Sequence, residues 1–358
     1  MDVGMAMGPV PPFDAMARRV RKLAESGIRS FWWPDHLVAF HSRELWASGQ
    51  LSRLQADPHV YADPFICAAS CAESAGDGLI GICVTDAIRR SPATLLQTAM
   101  SLDHLAPGRV VLGLGAGEYA NYGPYGIEVQ SPASILESAA AQIHRFLTDG
   151  GPDENGAVVG LRPPAGSPGP QLWIAAHGPR GFRTAGRFGD AWIPNFLTVE
   201  EWSAGRQAVW EAAKEAGRDP EAISYGLSVQ VILQNDHAAA IELLHHPILK
   251  AFSLLLPSTR FEAAGSSHPL GSGGLGHMVA TRLGTDQLKA AEAVPVEVVA
   301  SQMLHGTAEE VAMAIGRYPG LDHVVLWDPV PLADLDAGRV SIKACTELAR
   351  MLHEGGNP

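Results

Sequence analysis

The run L-W-I-A-A-H-G-P-R-G-F-R-T-A-G-R-F-G-D-A-W-I, residues 172–193, packs two strand signals around a helix signal. Residues 172–176 are a short continuous apolar run, as a strand buried on both faces requires. Pro179 opens residues 179–187 as a short helix, a position where its missing N–H costs nothing. Residues 190–193 are apolar again and form the next strand. Two strands joined through a helix run parallel, since antiparallel neighbours need only a tight turn.

The same alternation extends in both directions. Upstream, strands are expected at 3–8, 30–33, 78–84 and 109–114, with helices at 13–26, 64–74, 92–105 and 134–147. The first helix carries Ala15, Met16, Val20, Leu23 and Ala24 on one side and ends at Gly27. Downstream, a helix is expected at 199–216, a strand at 225–233, a helix at 308–317, the eighth strand at 323–326 and a closing helix at 340–353. Eight strands, each followed by helical sequence, fit a closed (β/α)8 TIM barrel better than an open doubly wound sheet. The whole chain, 1–358, is read as one barrel domain. Residues 150–170 are rich in Gly and Pro and read as a loop. Residues 235–305 form a long insertion after strand seven, placed over the C-terminal mouth, where barrels bind ligands. Its segment 265–276, G-S-S-H-P-L-G-S-G-G-L-G, is flexible by composition.

Composition narrows the partners. Hydrophobic residues make up 46% and charged residues 18%, which suits a large core and not a disordered chain. Acidic residues exceed basic ones, 38 to 26, so a nucleic-acid partner is not expected. No uninterrupted apolar stretch of roughly 18 residues marks a membrane span. The N-terminus lacks the basic and apolar regions of a secretion signal. Cys67, Cys71, Cys83 and Cys345 form no C-x-x-C pair and read as small buried hydrophobes. A soluble, cytoplasmic protein with a small-molecule substrate is the expectation.

Chemistry is sought where barrel strands end. Asp35-His36 follows strand two; it reads either as a turn with a surface His or as a hydrogen-bonding Asp beside a proton-transferring His. Glu118 reads either as a solvated turn carboxylate or as a general acid held protonated in a partly apolar mouth. Gly113-x-Gly115-x-Gly117 lacks the spacing of a dinucleotide fingerprint, and aromatic turn sequence follows it, so a Rossmann site is rejected. These glycines are expected to let a flat ligand approach the backbone. Segment 175–180 is a strand end, a turn and a helix N-terminus, where free amides can hold a phosphate and Arg180 can add charge. Its alternative is ordinary strand-to-helix turn chemistry. His245-His246 has no companions at metal spacing, so no metal site is expected. Trp32, Trp33, Trp173 and Trp192 read as core. Neither G-x-S-x-G nor a Walker A motif occurs.

Taken together, these motifs resemble the bacterial luciferase-like superfamily, in its branch using the deazaflavin coenzyme F420. The carriers are W-P-D-H (33–36), G-I-C-V-T-D-A (81–87), R-S-P-A (90–93), P-G-R-V-V-L-G-L-G-A-G-E (107–118), W-I-A-A-H-G-P-R (173–180) and G-R-F-G-D-A-W-I-P (186–194). The chain is also similar to the phthiodiolone ketoreductase type in G-P-Y-G (123–126) and H-P-L-G (268–271). The resemblance implies a homodimer of (β/α)8 barrels with F420 in the mouth, and a non-prolyl cis peptide at Cys83–Val84. It implies coenzyme contacts from Asp35, Cys83, Val84, Thr85, Gly115, Gly117, Asn121, Ala175, Ala176, His177, Gly178, Pro179, Arg180 and Ile193. It implies that His36 and Glu118 are catalytic, flanking the hydride-transferring carbon. The activity implied is hydride transfer between reduced F420 and a ketone, imine or activated alkene. The alternative on the same fold is a two-component monooxygenase taking reduced FMN.

Overall fold

The computed structural model describes residues 1–153, 155–271 and 278–355. Nine strands occur among them: β1 (Asp2–Ala6), β2 (Ser30–Trp33), β3 (Leu79–Asp86), β4 (Val110–Gly115), β5 (Gln171–Ala175), β6 (Ala191–Trp192), β7 (Ser224–Leu233), β8 (Leu304–Gly306) and β9 (His323–Trp327). β1 to β7 pair in sequence, and β9 closes the cylinder between β7 and β1, all parallel. This is the eight-stranded barrel expected from the alternation. β8 is an addition that the sequence reading did not contain. It pairs only with the last three residues of β7, Val231 to Leu233, which project beyond the barrel wall. Three residues with a polar His305 in the middle leave no legible periodicity.

The helices start where capping chemistry allows. Ser91 accepts from the Thr94 N–H with Pro92 at the first helical position of Pro92–Asp103. Thr198 and Glu201 form a reciprocal capping box at Val199–Glu215, and Thr307 with Glu310 does the same at Ala308–Ile315. Met16, Val20 and Leu23 point one face of Phe13–Glu25 onto the outer wall of the barrel. The main core therefore lies between barrel and helices.

A second, smaller core fills the barrel interior with Trp32, Val111, Trp173, Ala191, Ile193 and Val325. Trp32 and Trp173 lie 5.1 Å apart, and both meet the His323 ring at 5.7 and 5.2 Å. Ser30 satisfies the polar atoms of this floor: it accepts from Trp32 Nε1 at 2.6 Å and meets His323 Nε2 at 2.7 Å. Gly81 leaves the space that the Trp32 ring occupies. The floor is thus packed, and only the C-terminal end of the barrel is open to chemistry.

The insertion is helical, with its own core. Leu244, Ile248, Leu254, Phe261 and Val298 pack on Leu45 and Trp46, which follow β2, and on Val330 and Ala333, which follow β9. Both anchoring segments follow the C-terminal ends of barrel strands. Within the run 265–276, expected to be flexible, one described residue is anchored. His268 is buried, its ring lies 4.5 Å from Phe261, and its Nε2 meets the Leu254 carbonyl at 3.2 Å. The segment 272–277 lies outside the described residues. Among the described residues, no single helix is long and apolar enough to cross a membrane.

Candidate active site

β2, β3 and β4 deliver the residues singled out in the sequence to one side of the mouth. His36 follows β2, and Glu118 and Asn121 follow β4. His36 Nδ1 lies 3.5 Å from Glu118 Oε2 and 3.3 Å from Asn121 Nδ2. The neutral ring can accept from the Asn121 amide; the protonated ring faces the Glu118 carboxylate. The two side chains are 21% and 32% exposed, so both are held by protein yet open to a ligand. Asn121 Oδ1 also accepts the Leu37 N–H at 3.0 Å, which fixes the chain just after His36.

Tyr61 stands 6.0 Å from the His36 ring, edge to face. Burial, and next the Glu118 carboxylate, push its phenol up to about 12, so it stays a proton-bearing donor. Sequence reading missed Tyr61 because it sits in the irregular segment between β2 and β3, with no motif around it.

Asp35 points elsewhere. Its Oδ2 accepts from Thr85 Oγ1 at 2.6 Å and Arg90 Nε at 3.1 Å, and lies 3.2 Å from Arg89. Asp35 and Thr85 therefore join the ends of β2 and β3 in a buried charge network, which also takes in Asp86 and Asp63. Arg90, the first residue of the R-S-P-A motif, and Arg89 before it, which the sequence reading did not single out, supply its cations.

The third strand is bulged between Ile82 and Thr85, and the Cys83–Val84 peptide is cis. Burial pushes the Cys83 thiol up to about 12, so it is no nucleophile. Val84 is half-buried at the mouth. Two of the glycines of β4 also have a packing reason. A Cβ on Gly113 would strike the Ile82 carbonyl, and one on Gly115 would reach Val84 Cγ2 at 2.7 Å. They make room for the bulge of the neighbouring strand. Gly117, at φ 83°, lies against Ile88 and Asp86.

On the far side, β5 ends at Ala175. Ala176 O accepts from Trp192 Nε1 at 2.9 Å, and His177 Nε2 meets Asn195 Oδ1 at 2.9 Å, tying β5 to β6. Gly178 begins the helix Gly178–Phe188 at φ 76°, with open space where a Cβ would stand, and Pro179 follows. No side chain caps this helix, so its first amides are free for an anion. Arg180 is not free: its Nε donates to Glu137 Oε2 at 2.7 Å, and Arg187 braces the same carboxylate. Ile193 is buried in the interior core below the mouth. Phe196, the one non-glycine residue at positive φ among the described residues, follows β6, and its carbonyl accepts from Arg260 of the insertion at 3.1 Å. His246 of the His-His pair accepts the Ile248 N–H at 3.3 Å and caps its own short helix.

A closed parallel barrel with acid–base side chains gathered at its C-terminal mouth is the architecture of a barrel enzyme. A family model described as luciferase-like monooxygenase matches residues 2–321. The phthiodiolone/phenolphthiodiolone dimycocerosates ketoreductase of Mycobacterium sp. (strain JLS) is 32% identical over 343 residues, 91% of this chain and 90% of that one. The F420-dependent hydroxymycolic acid dehydrogenase of Mycobacterium tuberculosis (strain ATCC 25618 / H37Rv) is 31% identical over 264 residues, 65% of this chain and 68% of that one. An F420-dependent secondary alcohol dehydrogenase, solved in complex with an F420-acetone adduct, superposes with a TM-score of 0.75 over 98% of both chains at 21% identity, a likeness of fold. The chain belongs to the luciferase-like monooxygenase family. It is an oxidoreductase built on that family's barrel, as the motif resemblance implied.

Proposed function

We propose that this protein is an F420-dependent reductase of a ketone or a related C=X acceptor. The observation that carries the reading is the His36–Glu118–Asn121 cluster at the mouth, beside the bulged end of β3. The F420-dependent dehydrogenases and the ketoreductase among its relatives support the coenzyme and the reaction class. The residues present fit such a coenzyme. Val84, Gly115 and Ala175 offer a small-residue platform for a flat ring, and the uncapped amides at Gly178 suit an anionic tail.

Bound reduced F420 supplies a hydride from C5. The chain's own part is proton transfer and positioning. His36 or Glu118 would hold the proton that the carbonyl oxygen of a bound ketone would take up on reduction to the alcohol. His36 and Glu118 lie within ion-pair reach, so one refills the other from solvent. Asn121 holds the His36 ring and the Leu37 backbone in place. The helical insertion at the mouth limits water access to the reacting pair.

The test is single-turnover oxidation of reduced F420 by a panel of ketones. A positioned general acid is worth typically ~10²–10⁴ in rate, so Glu118→Gln and His36→Ala should each lose a factor in that range while still binding F420. Oxygen-dependent turnover with reduced FMN, and no F420 oxidation, would give the reaction to the monooxygenase alternative.

A further inference from the structure

We propose that Arg89 is a positioning residue for His36, clamping the peptide from which the imidazole leaves the chain. The proposal rests on the proton-transfer role given to His36 above. His36 itself lies in no helix or strand, so its backbone is set by whatever bonds its neighbours make. On the C-terminal side that bond is Leu37 N–H to Asn121 Oδ1. On the N-terminal side it comes from Arg89, whose Nη2 donates to the Asp35 carbonyl at 2.8 Å. That carbonyl belongs to the Asp35–His36 peptide plane. Holding it fixes the rotation of the plane and hence the direction in which the imidazole departs.

The clamp is rigid because the guanidinium is held on two edges. Its Nε donates to Asp86 Oδ2 at 2.8 Å, while Nη2 also lies 3.2 Å from Asp35 Oδ2. Asp86 Oδ1 in turn accepts the backbone N–H groups of Ile88 and Arg89 at 3.0 and 2.8 Å, locking the turn that carries Arg89. The Arg89 side chain is 9% exposed and its two carboxylate partners are 2% and 4% exposed. In so dry a place the planar fork spans both acceptors at once, which a lysine ammonium cannot do. Arg90 shares Asp35 Oδ2 but makes no bond to the Asp35 carbonyl; its second partner is Asp63 at 2.7 Å. It therefore serves as the comparison.

The experiment uses Arg89→Lys and, as a second route to the same clamp, Asp86→Asn, with Arg90→Lys beside them. The coenzyme-free protein is read by the ring-nitrogen resonances of His36, assigned by their loss in His36→Asn. Loaded protein is read by F420 affinity and single-turnover rate. Outer partners that orient a reacting group are typically worth about 10–100-fold. Arg89→Lys and Asp86→Asn should lose a factor in that range in rate, with F420 affinity nearly kept, and should displace the His36 resonances. Arg90→Lys should leave those resonances in place. Unmoved His36 resonances in either clamp variant that folds, or equal displacement in Arg90→Lys, would overturn the proposal. The resonances report on the clamp even if the wild-type protein fails to oxidise reduced F420, so failure of the functional reading is seen separately.

Discussion

His323 shows how one residue couples the barrel floor to pH. Burial among Trp32, Trp173 and Ser30 lowers its pKa to about 4, so it is neutral when folded. An unfolded His titrates near 6.5. The folded pKa is the lower one, so the stability is fully present above about pH 6.5 and is lost as pH falls toward about 4. Each unit of that descent costs about 1.4 kcal/mol for this residue. His323→Gln should therefore flatten the fall in unfolding free energy between pH 7 and pH 5 by about 2 kcal/mol, read by urea titration at both values. An unchanged fall would show that the ring is hydrated in the folded state. The tail site is also decided residue by residue. Arg180 is spent on Glu137 and half exposed, so Arg180→Ala should change F420 affinity by about fivefold or less. Gly178→Ala forces a Cβ into a left-handed backbone at a cost of roughly 1–2 kcal/mol and should weaken F420 more. Fluorescence titration of both variants ranks them; the reverse order would return the anion to the Arg180 side chain.

Between β3 and β4, packing against the neighbouring strand is by itself enough to require glycine at 113. Gly113 faces the Ile82 carbonyl, a backbone atom that cannot swing aside as a side-chain tip can. Gly113→Ala should destabilise the protein by about 1–3 kcal/mol and loosen the bulge that carries Val84. Thermal unfolding and F420 affinity should both fall. Gly160→Ala, with nothing near its Cβ position, is the matched control and should keep both. A Gly113→Ala protein as stable as the wild type would mean that the bulge yields freely.

Across the whole molecule there are two large bodies of apolar packing, the barrel core and the core of the insertion. Trp46, from the segment that follows β2, packs within the insertion's cluster at 5% exposed and donates from Nε1 to Gln55 O at 2.7 Å. Removing such a side chain typically costs about 3–5 kcal/mol. Trp46→Ala should open the insertion first, seen as faster hydrogen exchange and proteolysis within 235–305 while the barrel strands stay protected. Uniform loss of protection across both parts would show a single cooperative unit. The homodimer implied by the family resemblance is a separate proposal at this scale, read by light scattering.

The strand–helix alternation was legible because most barrel strands are short apolar runs and several helices carry their own caps and an apolar face. β2 lies where its run 30–33 places it, and the helices at 92–103 and 199–215 begin at the capping residues visible in the chain. Strand ends told where chemistry could sit and made His36 and Glu118 candidates, while Asn121 was named only by the family resemblance, as a coenzyme contact. What the sequence could not decide depends on contacts between distant segments. β8 exists only because β7 overshoots the wall and offers unpaired backbone. Tyr61 reaches the site through an irregular loop, where no period marks an inward-facing position. Arg180 has a carboxylate at its Nε because Glu137, on another helix, is packed beside it. That Gly113 and Gly115 also make room for the bulge of β3 shows only once β3 is laid beside them. Local pattern is written in neighbouring residues and survives in the bare sequence; which side chains share a buried space, and which charges meet there, is settled only when segments tens of residues apart are packed together.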